Sequence, residues 1–216
     1  MPVQIVARML VLLTAVMTTL GANGAAAATA GRTNLVVLGD SLTAGFGLPA
    51  DQAFPVQLQK ALAAKGLAVN VINAGVSGDT SSGGLARLDW SVSDETDAVI
   101  VELGANDALR GISPAVTEKA LDAILSRLGA RGIPVLLCGM LAPPNMGAEY
   151  ANAFNAIYPT LAERHKVDLY PFFLDGVAAE RSLNQADGLH PTAEGVAKIV
   201  ARILPQVEDL VRRAHK

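Results

Sequence analysis

The sequence predicts an α/β fold, a three-layer α/β/α sandwich around a parallel sheet of about five strands, on three observations. Short, almost uninterrupted apolar runs alternate with longer stretches of helical period. The runs are too uniformly apolar for strands wetted on one face, so helices should cover both sides of the sheet. Polar, glycine-rich segments follow three of the runs, and open sheets of this class bind ligands outside the carboxyl ends of their strands.

The strands are expected at Asn34 to Leu38, Ala68 to Ala74, Ala98 to Leu103, Pro134 to Cys138 and Val167 to Tyr170. Between the first two, Phe54 to Lys65 places Phe54, Leu58, Ala61 and Leu62 on one helical face. Pro114 to Arg131 repeats the pattern with Val116, Ala120, Leu121, Ile124 and Leu128, with Ser113 and Pro114 as an N-cap and first-turn pair. Glu149 to Lys166 and Thr192 to Arg213 supply two further helices, the second expected to break near Pro205. No repeat, linker or low-complexity segment interrupts residues 31–216, which are read as one domain.

The first 30 residues read differently. They hold 20 of the chain's apolar residues and a single charge, Arg8, followed by an apolar core from Met9 to Leu20 and small residues from Ala26 to Ala30. This is the pattern of a secretory leader, cleaved after Ala28 or Ala30, and it implies a periplasmic or secreted protein. It also explains part of a 51% hydrophobic content and a mean hydropathy of +0.36. No later stretch approaches the roughly 18 uninterrupted apolar residues of a membrane span, so no stable membrane insertion is expected once the leader is gone. Net charge of −3 excludes a polyanion binder that works by bulk positive charge, so no nucleic-acid partner is expected, and nothing calls for more than a monomer. The only cysteine, Cys138, has no intrachain partner and reads as a buried small hydrophobe.

Four polar segments stand out: Gly39-Asp-Ser-Leu-Thr-Ala-Gly-Phe-Gly47, Gly75-Val-Ser-Gly-Asp-Thr80, Gly104-Ala-Asn-Asp107 and Asp187-Gly-Leu-His-Pro191. The first is no phosphate loop, because Phe46 rather than Lys follows Gly45, and the dinucleotide glycine spacing is absent. It leaves Ser41 just past a strand end, as a helix N-cap or as a nucleophile. Of three histidines, His165 and His215 sit in charged stretches and read as surface. His190 follows Asp187 by three residues across Gly188, a spacing that lets the carboxylate fold back onto the imidazole and orient it as a base; the same turn could instead only cap the last helix. Gly78 and Asn106 offer a backbone N–H and a side-chain amide at neighbouring strand ends, as oxyanion donors or as ordinary turn residues. No third and fourth metal ligand accompany the Asp/His pair at recognisable spacing, and neither metal nor cofactor is expected.

Taken in order, these blocks resemble the SGNH, or GDSL-type, hydrolases, named for their shared Ser, Gly, Asn and His. The matching residues are Ser41 in Gly39-Asp-Ser-Leu42, Gly78 in Asn73-Ala-Gly-Val-Ser-Gly-Asp-Thr80, Asn106 in Gly104-Ala-Asn-Asp107 and His190 in Asp187-Gly-Leu-His190. Gly83-Gly-Leu-Ala-Arg87, Leu109-Arg-Gly111, Pro143-Pro-Asn-Met-Gly147 and Tyr158-Pro159 are similar to the small exported branch of thioesterase I, lysophospholipase L1 and arylesterase enzymes. The resemblance covers about Asn34 to Ile203 and implies the flavodoxin-like fold of that family. It makes Ser41 the nucleophile, His190 the base and Asp187 its orienting acid, with the Ser41 and Gly78 N–H groups and the Asn106 amide as oxyanion hole. Ala105 and Thr43 depart from the branch's commonest glycine and serine; neither removes a catalytic group, but the Ala105 methyl bears on pocket width. The α/β-hydrolase elbow G-x-S-x-G is only approached, by Gly75-Val-Ser-Gly-Asp79.

The implied reaction is two-step acyl transfer to water on a small-molecule acyl ester or thioester, first of all aryl or short-to-medium acyl esters, then acyl thioesters and lysophospholipids. Phe46, Leu48, Met140, Leu141, Pro143 and Met146 are the apolar residues expected to line the substrate site, unless they only pack their loops onto the domain. A carbohydrate-ester deacetylase and a non-catalytic exported binding module are the other readings; few aromatics are available to stack a sugar.

Overall fold

The computed structural model describes residues 31–214; the expected leader at residues 1–30 and His215 lie outside the described residues. Five strands form one sheet: β1 (Thr33–Gly39), β2 (Val69–Gly75), β3 (Ala98–Glu102), β4 (Val135–Cys138) and β5 (Asp168–Tyr170), in the order β2-β1-β3-β4-β5. Every pair is parallel, as the apolar runs predict. The helices are α1 (Ser41–Ala44), α2 (Phe54–Ala64), α3 (Ser81–Ala86), α4 (Leu88–Ser91), α5 (Ala105–Leu109), α6 (Pro114–Ala130), α7 (Ala148–Asn155), α8 (Ile157–His165) and α9 (Ala193–Ala214). Helices α2 and α9 pack together on one side of the sheet, while α3, α6 and α8 pack in sequence on the other.

Burial follows the strand positions. Strands β3 and β4 are buried at every residue, whereas β2, at the sheet edge, leaves Ile72 and Asn73 exposed. An edge strand has a neighbour on one side only, so the expectation of two covered faces holds for the centre of the sheet and not for β2. Phe54, Leu58 and Leu62 of α2 are each fully buried, four residues apart on one face.

Four local expectations change. Val116 is exposed, because the inward position in the first turn of α6 goes to Thr117, whose hydroxyl donates to Asp107 Oδ1 at 3.0 Å. Ser113 occupies the N-cap of α6 without making a side-chain cap bond. The stretch 149–166 divides into α7 and α8, since Pro159 has no N–H to return to Asn155 four residues earlier. Helix α9 instead runs unbroken through Pro205, held on both sides by a buried stripe that includes Val196, Ile199, Val200, Ile203, Val207 and Leu210.

The chain reverses its direction of strand addition at β1, which has β2 on one side and β3 on the other. That makes the crevice between the carboxyl ends of β1 and β3 the topological switch point. At this level one register row crosses the sheet through Gly75, Gly39, Glu102, Cys138 and Tyr170. A Cβ at Gly39 would lie 2.8 Å from the Glu102 carbonyl oxygen and 2.4 Å from Thr43 Oγ1. The β1 end therefore has no room for a side chain, and backbone on the β3 side cannot easily give way.

A Gly39→Ala variant is accordingly expected to lose about 2 kcal/mol or more of stability. Chemical denaturation with circular dichroism reads this; a midpoint equal to wild type would contradict the close approach.

Candidate active site

Ser41 stands two residues past the end of β1 and is the first residue of α1, not its cap. The cap is Asp40, whose Oδ1 accepts from the Leu42 N–H at 3.0 Å, while its carbonyl accepts from Thr43 Oγ1 at 3.1 Å. With the capping role taken, the Ser41 hydroxyl is left to another partner. It lies 2.9 Å from His190 Nε2, across 149 residues of sequence.

The segment that delivers His190 is tied down on all sides. Asp187 Oδ1 accepts from the Leu189 and His190 N–H groups at 2.9 and 3.1 Å, and Oδ2 lies 2.6 Å from His190 Nδ1. Gly188, at φ +71°, takes the left-handed backbone conformation this tight turn needs. Gln185 straps the turn to the loop after Ser41, its amide donating to the Phe46 carbonyl at 2.8 Å and to the Pro191 carbonyl at 3.0 Å. Helix α9 is capped separately, by Thr192 Oγ1 accepting from the Gly195 N–H. The Asp/His turn is thus not spent on capping. Asp187 is held down to about 2, first by its bond to the imidazole and then by the two backbone N–H groups.

Gly78 and Asn106 are brought together by a set of clamps on residues 78–81. The Asn106 amide donates to the Asp79 carbonyl at 3.0 Å and to Asp40 Oδ2 at 3.2 Å. Arg110, one turn further on, donates to the Gly78 carbonyl at 2.8 Å. Asp107 takes the Ser81 N–H at 2.8 Å and the Ser81 hydroxyl at 2.5 Å. Arg87 is buried and reaches four places at once: Asp79 Oδ2 at 2.5 Å, the Ala74 carbonyl at 2.7 Å, the Gly39 carbonyl at 2.8 Å and Ser91 Oγ at 3.1 Å. The ends of β1 and β2 and the Gly78 turn consequently move as one piece. Both Asn106 amide hydrogens already have acceptors, so a substrate oxygen would compete first with the longer bond, to Asp40.

Asp40, Glu102, Arg87 and Gln185 carry no assigned role in the sequence reading. The readable signals were an Asp two residues before a free helix N–H and a Glu inside the run Ala98-Val-Ile-Val-Glu-Leu103. Asp40 and Glu102 are fully buried side by side, with the Asp40 N–H pointing to Glu102 Oε2 at 3.4 Å. Burial pushes Asp40 up to about 6 against the pull of the Leu42 N–H and the Asn106 amide. Burial and the neighbouring Asp40 charge drive Glu102 well above the carboxylate range. His165, expected on the surface, is half-buried and lies 2.8 Å from Asp122 Oδ1 on α6.

Beside Ser41 and His190 opens a cavity of about 540 Å³, large enough for a small ester with its acyl chain. Met140, Leu141 and Pro143 line it as expected, and so does Ala105. Leu48 and Met146 do not. Leu48 packs against the core, and the Met146 methyl group points at Gly111, 3.5 Å from where a Cβ would stand. Phe46 lies outside the lining but packs at a tilt against the His190 ring, centroids 4.6 Å apart and planes 38° from parallel. The remaining wall comes from residues the sequence reading left out, among them Leu109, Phe172, Leu174 and Ala178.

Residues 37–198 match the GDSL-like Lipase/Acylhydrolase family, a stretch that contains Ser41, Gly78, Asn106 and His190. The chain belongs to this family. Among its relatives, an arylesterase of Vibrio mimicus is 43% identical over 174 residues, 79% of this chain and 87% of that protein. The thioesterase 1/protease 1/lysophospholipase L1 of Escherichia coli K12 is 40% identical over 178 residues, 82% of this chain and 84% of its own length. The crystal structure of TesA superposes with a TM-score of 0.79 at 41% identity, covering 82% of this chain and 99% of that one. The fold is therefore that of the family.

The buried Asp40 has a stability consequence. Its folded value near 6 exceeds the ordinary 3.8, so its contribution is fully present below about pH 3.8 and is lost as pH rises through about 6. Wild type should gain about 1 kcal/mol between pH 7 and pH 5 that an Asp40→Asn variant does not gain. Denaturant titrations of both proteins at the two pH values read the difference, and equal pH dependence would contradict the raised value.

Proposed function

We propose that this protein is an exported carboxylic ester hydrolase that works through an acyl-enzyme on Ser41. The observation that carries this reading is the unbroken relay from Asp187 Oδ2 to His190 Nδ1 at 2.6 Å and from His190 Nε2 to Ser41 Oγ at 2.9 Å, at the mouth of an apolar cavity. His190 removes the hydroxyl proton as Ser41 Oγ attacks the ester carbonyl carbon. Asp187 stays ionised and holds the imidazolium in place. The carbonyl oxygen becomes an oxyanion facing the Ser41 and Gly78 N–H groups and the Asn106 amide. The tetrahedral intermediate collapses, His190 returns the proton to the departing alcohol or thiol, and water repeats the sequence to release the acid.

The substrate is a small acyl ester: aryl and short-to-medium acyl esters first, acyl thioesters and lysophospholipids next. The names of the relatives, an arylesterase and a thioesterase/lysophospholipase, support that order, as does a wall of aliphatic and proline side chains. A binding module has less support, because Asp40 and Thr192 already perform the capping that would have explained Ser41 and the Asp/His turn. Residues 1–30 are read as a cleaved leader and residues 31–216 as the mature domain, monomeric, in the periplasm or outside the cell. No helix among the described residues is long and apolar enough to cross a membrane.

Ser41→Ala and His190→Ala are each expected to lower kcat/KM for an aryl ester by roughly a thousandfold or more, with unchanged circular dichroism. Turnover near wild type in either variant would sink the assignment. An organophosphonate should label wild type once per chain and leave Ser41→Ala unmodified. A panel of aryl esters of increasing chain length, run beside an acyl-CoA and a lysophospholipid, ranks the substrates.

The rate should fall on the acid side as Asp40, near 6, loses the charge that caps α1 and holds the Asn106 amide. Asp187, held ionised to about 2, takes no part in that limb. A profile flat from about pH 7 to about pH 5 would argue against that dependence on Asp40.

A further inference from the structure

Glu102 is the one carboxyl of the central strands, and nothing in the mechanism above uses it. It ends β3 at the switch point, opposite Gly39 on β1 and Cys138 on β4 in the register row. Its side chain is fully buried, and among the described residues no Lys or Arg pairs with it or with Asp40. Arg87, which reaches the neighbouring Gly39 carbonyl, commits its donors to Asp79, Ser91 and two backbone carbonyls. Glu102 Oε2 faces the Asp40 N–H, and Oε1 is buried with no hydrogen-bond partner. The other titratable groups around the pair are Cys138 from β4 and Tyr158 from α8, both neutral, and His190 across the pocket.

A charged carboxylate with a bare, buried oxygen and no cation is strongly disfavoured, while the neutral acid costs far less. Two ionised carboxylates in this position would also oppose each other and any oxyanion forming beside Asn106. A single proton on the pair removes both penalties. Asp40 is the member that needs its charge, because its two oxygens accept from the Leu42 N–H under Ser41 and from the Asn106 amide. The influence of each carboxyl on the other runs the same way, drawing Asp40 down and pushing Glu102 up.

We propose that Glu102 is a positioning residue for acyl transfer: as a neutral carboxylic acid it supports ionised Asp40, which in turn holds both the start of α1 and the Asn106 amide. Glu102 touches no substrate. It acts through Asp40 on the two groups, Ser41 and Asn106, that do. The inference rests on the roles given to those groups above, and one arm of its test is independent of turnover.

That arm is an infrared difference spectrum of wild type against Glu102→Gln at neutral pH. A carbonyl band of a protonated carboxylic acid, present only in wild type, is expected; carboxylate bands in its place would overturn the proposal whatever the enzyme hydrolyses. The kinetic arm compares Glu102→Gln, which keeps a neutral donor and acceptor, with Glu102→Leu, which keeps neither. The Gln variant should stay within about threefold of the wild-type kcat with the same acid limb. The Leu variant should lose about tenfold or more in kcat while KM for a small aryl ester stays within about threefold. A displaced acid limb in Glu102→Gln, or wild-type kcat in Glu102→Leu, would overturn it. Should Glu102→Leu fail to fold, the spectrum and the Glu102→Gln profile decide alone.

Discussion

The catalytic end of this sheet hangs on the backbone at Gly39. Its carbonyl accepts both from Arg87 Nη2 at 2.8 Å and from the Val76 N–H at 3.0 Å, which fixes the β1 end against the turn that leads to Gly78. Its α-carbon sits so close to the Glu102 carbonyl and to Thr43 that only hydrogen fits. From that anchored point Asp40 and Ser41 project with little freedom left, because β1 is paired along both edges and buried almost throughout. The hydroxyl can then wait 2.9 Å from an imidazole delivered from the far end of the chain. Such prepaid positioning is worth far more to a reaction than the bond itself.

Two carboxylates near the site are driven in opposite directions by their surroundings. Asp187 is partly exposed and receives hydrogen bonds on both oxygens, so its charge is secure to about pH 2. Asp40 is buried, which raises it to about 6 against the Leu42 N–H, the Asn106 amide, His190 and its carboxyl neighbour. In the proposed mechanism the first works as a permanent partner for the imidazolium. The second is a structural charge, bought at a cost in stability at neutral pH, that caps α1 and orients an amide. Environments that push like groups apart in this way are how one site assigns different tasks to the same chemistry.

Much of this could be read from the residues in order, and what could not has a common cause. Strands and amphipathic helices announce themselves by period, and Ser41, Asp187 and His190 by chemistry placed at segment ends, since these features depend on near neighbours. The clamps do not. Arg87 has no role that its neighbours in sequence disclose, because the acceptors that hold it include ones 8, 13 and 48 residues away. Glu102 was legible as an anomaly, a charge inside an apolar run, but its partner depends on the parallel register with β1. Val116 failed for a related reason: Thr117, one residue on, had a buried carboxylate to satisfy, and that bond set the rotation of the helix. Leu48 and Met146 failed because closeness to a motif in sequence says nothing about which way an apolar side chain turns.

The same division runs through the site itself. The groups proposed for chemistry stand at the ends of β1 and β3, in the segment after β2 and in the turn before α9, where backbone ties limit movement. Much of the cavity wall comes instead from connecting segments, Met140 to Pro144 after β4, Phe172 to Ala179 after β5, and Leu189 beside the base. These segments can exchange side chains without disturbing Gly39, Arg87 or the Gly78 turn, since none of the clamps passes through them. Acyl-chain preference is therefore free to vary while the machinery that attacks the carbonyl stays fixed. Ala105 is the point where the two meet: it lines the cavity and also opens α5, one residue before Asn106. A methyl group there trims the room beside the proposed oxyanion site and leaves the proposed donors where they are.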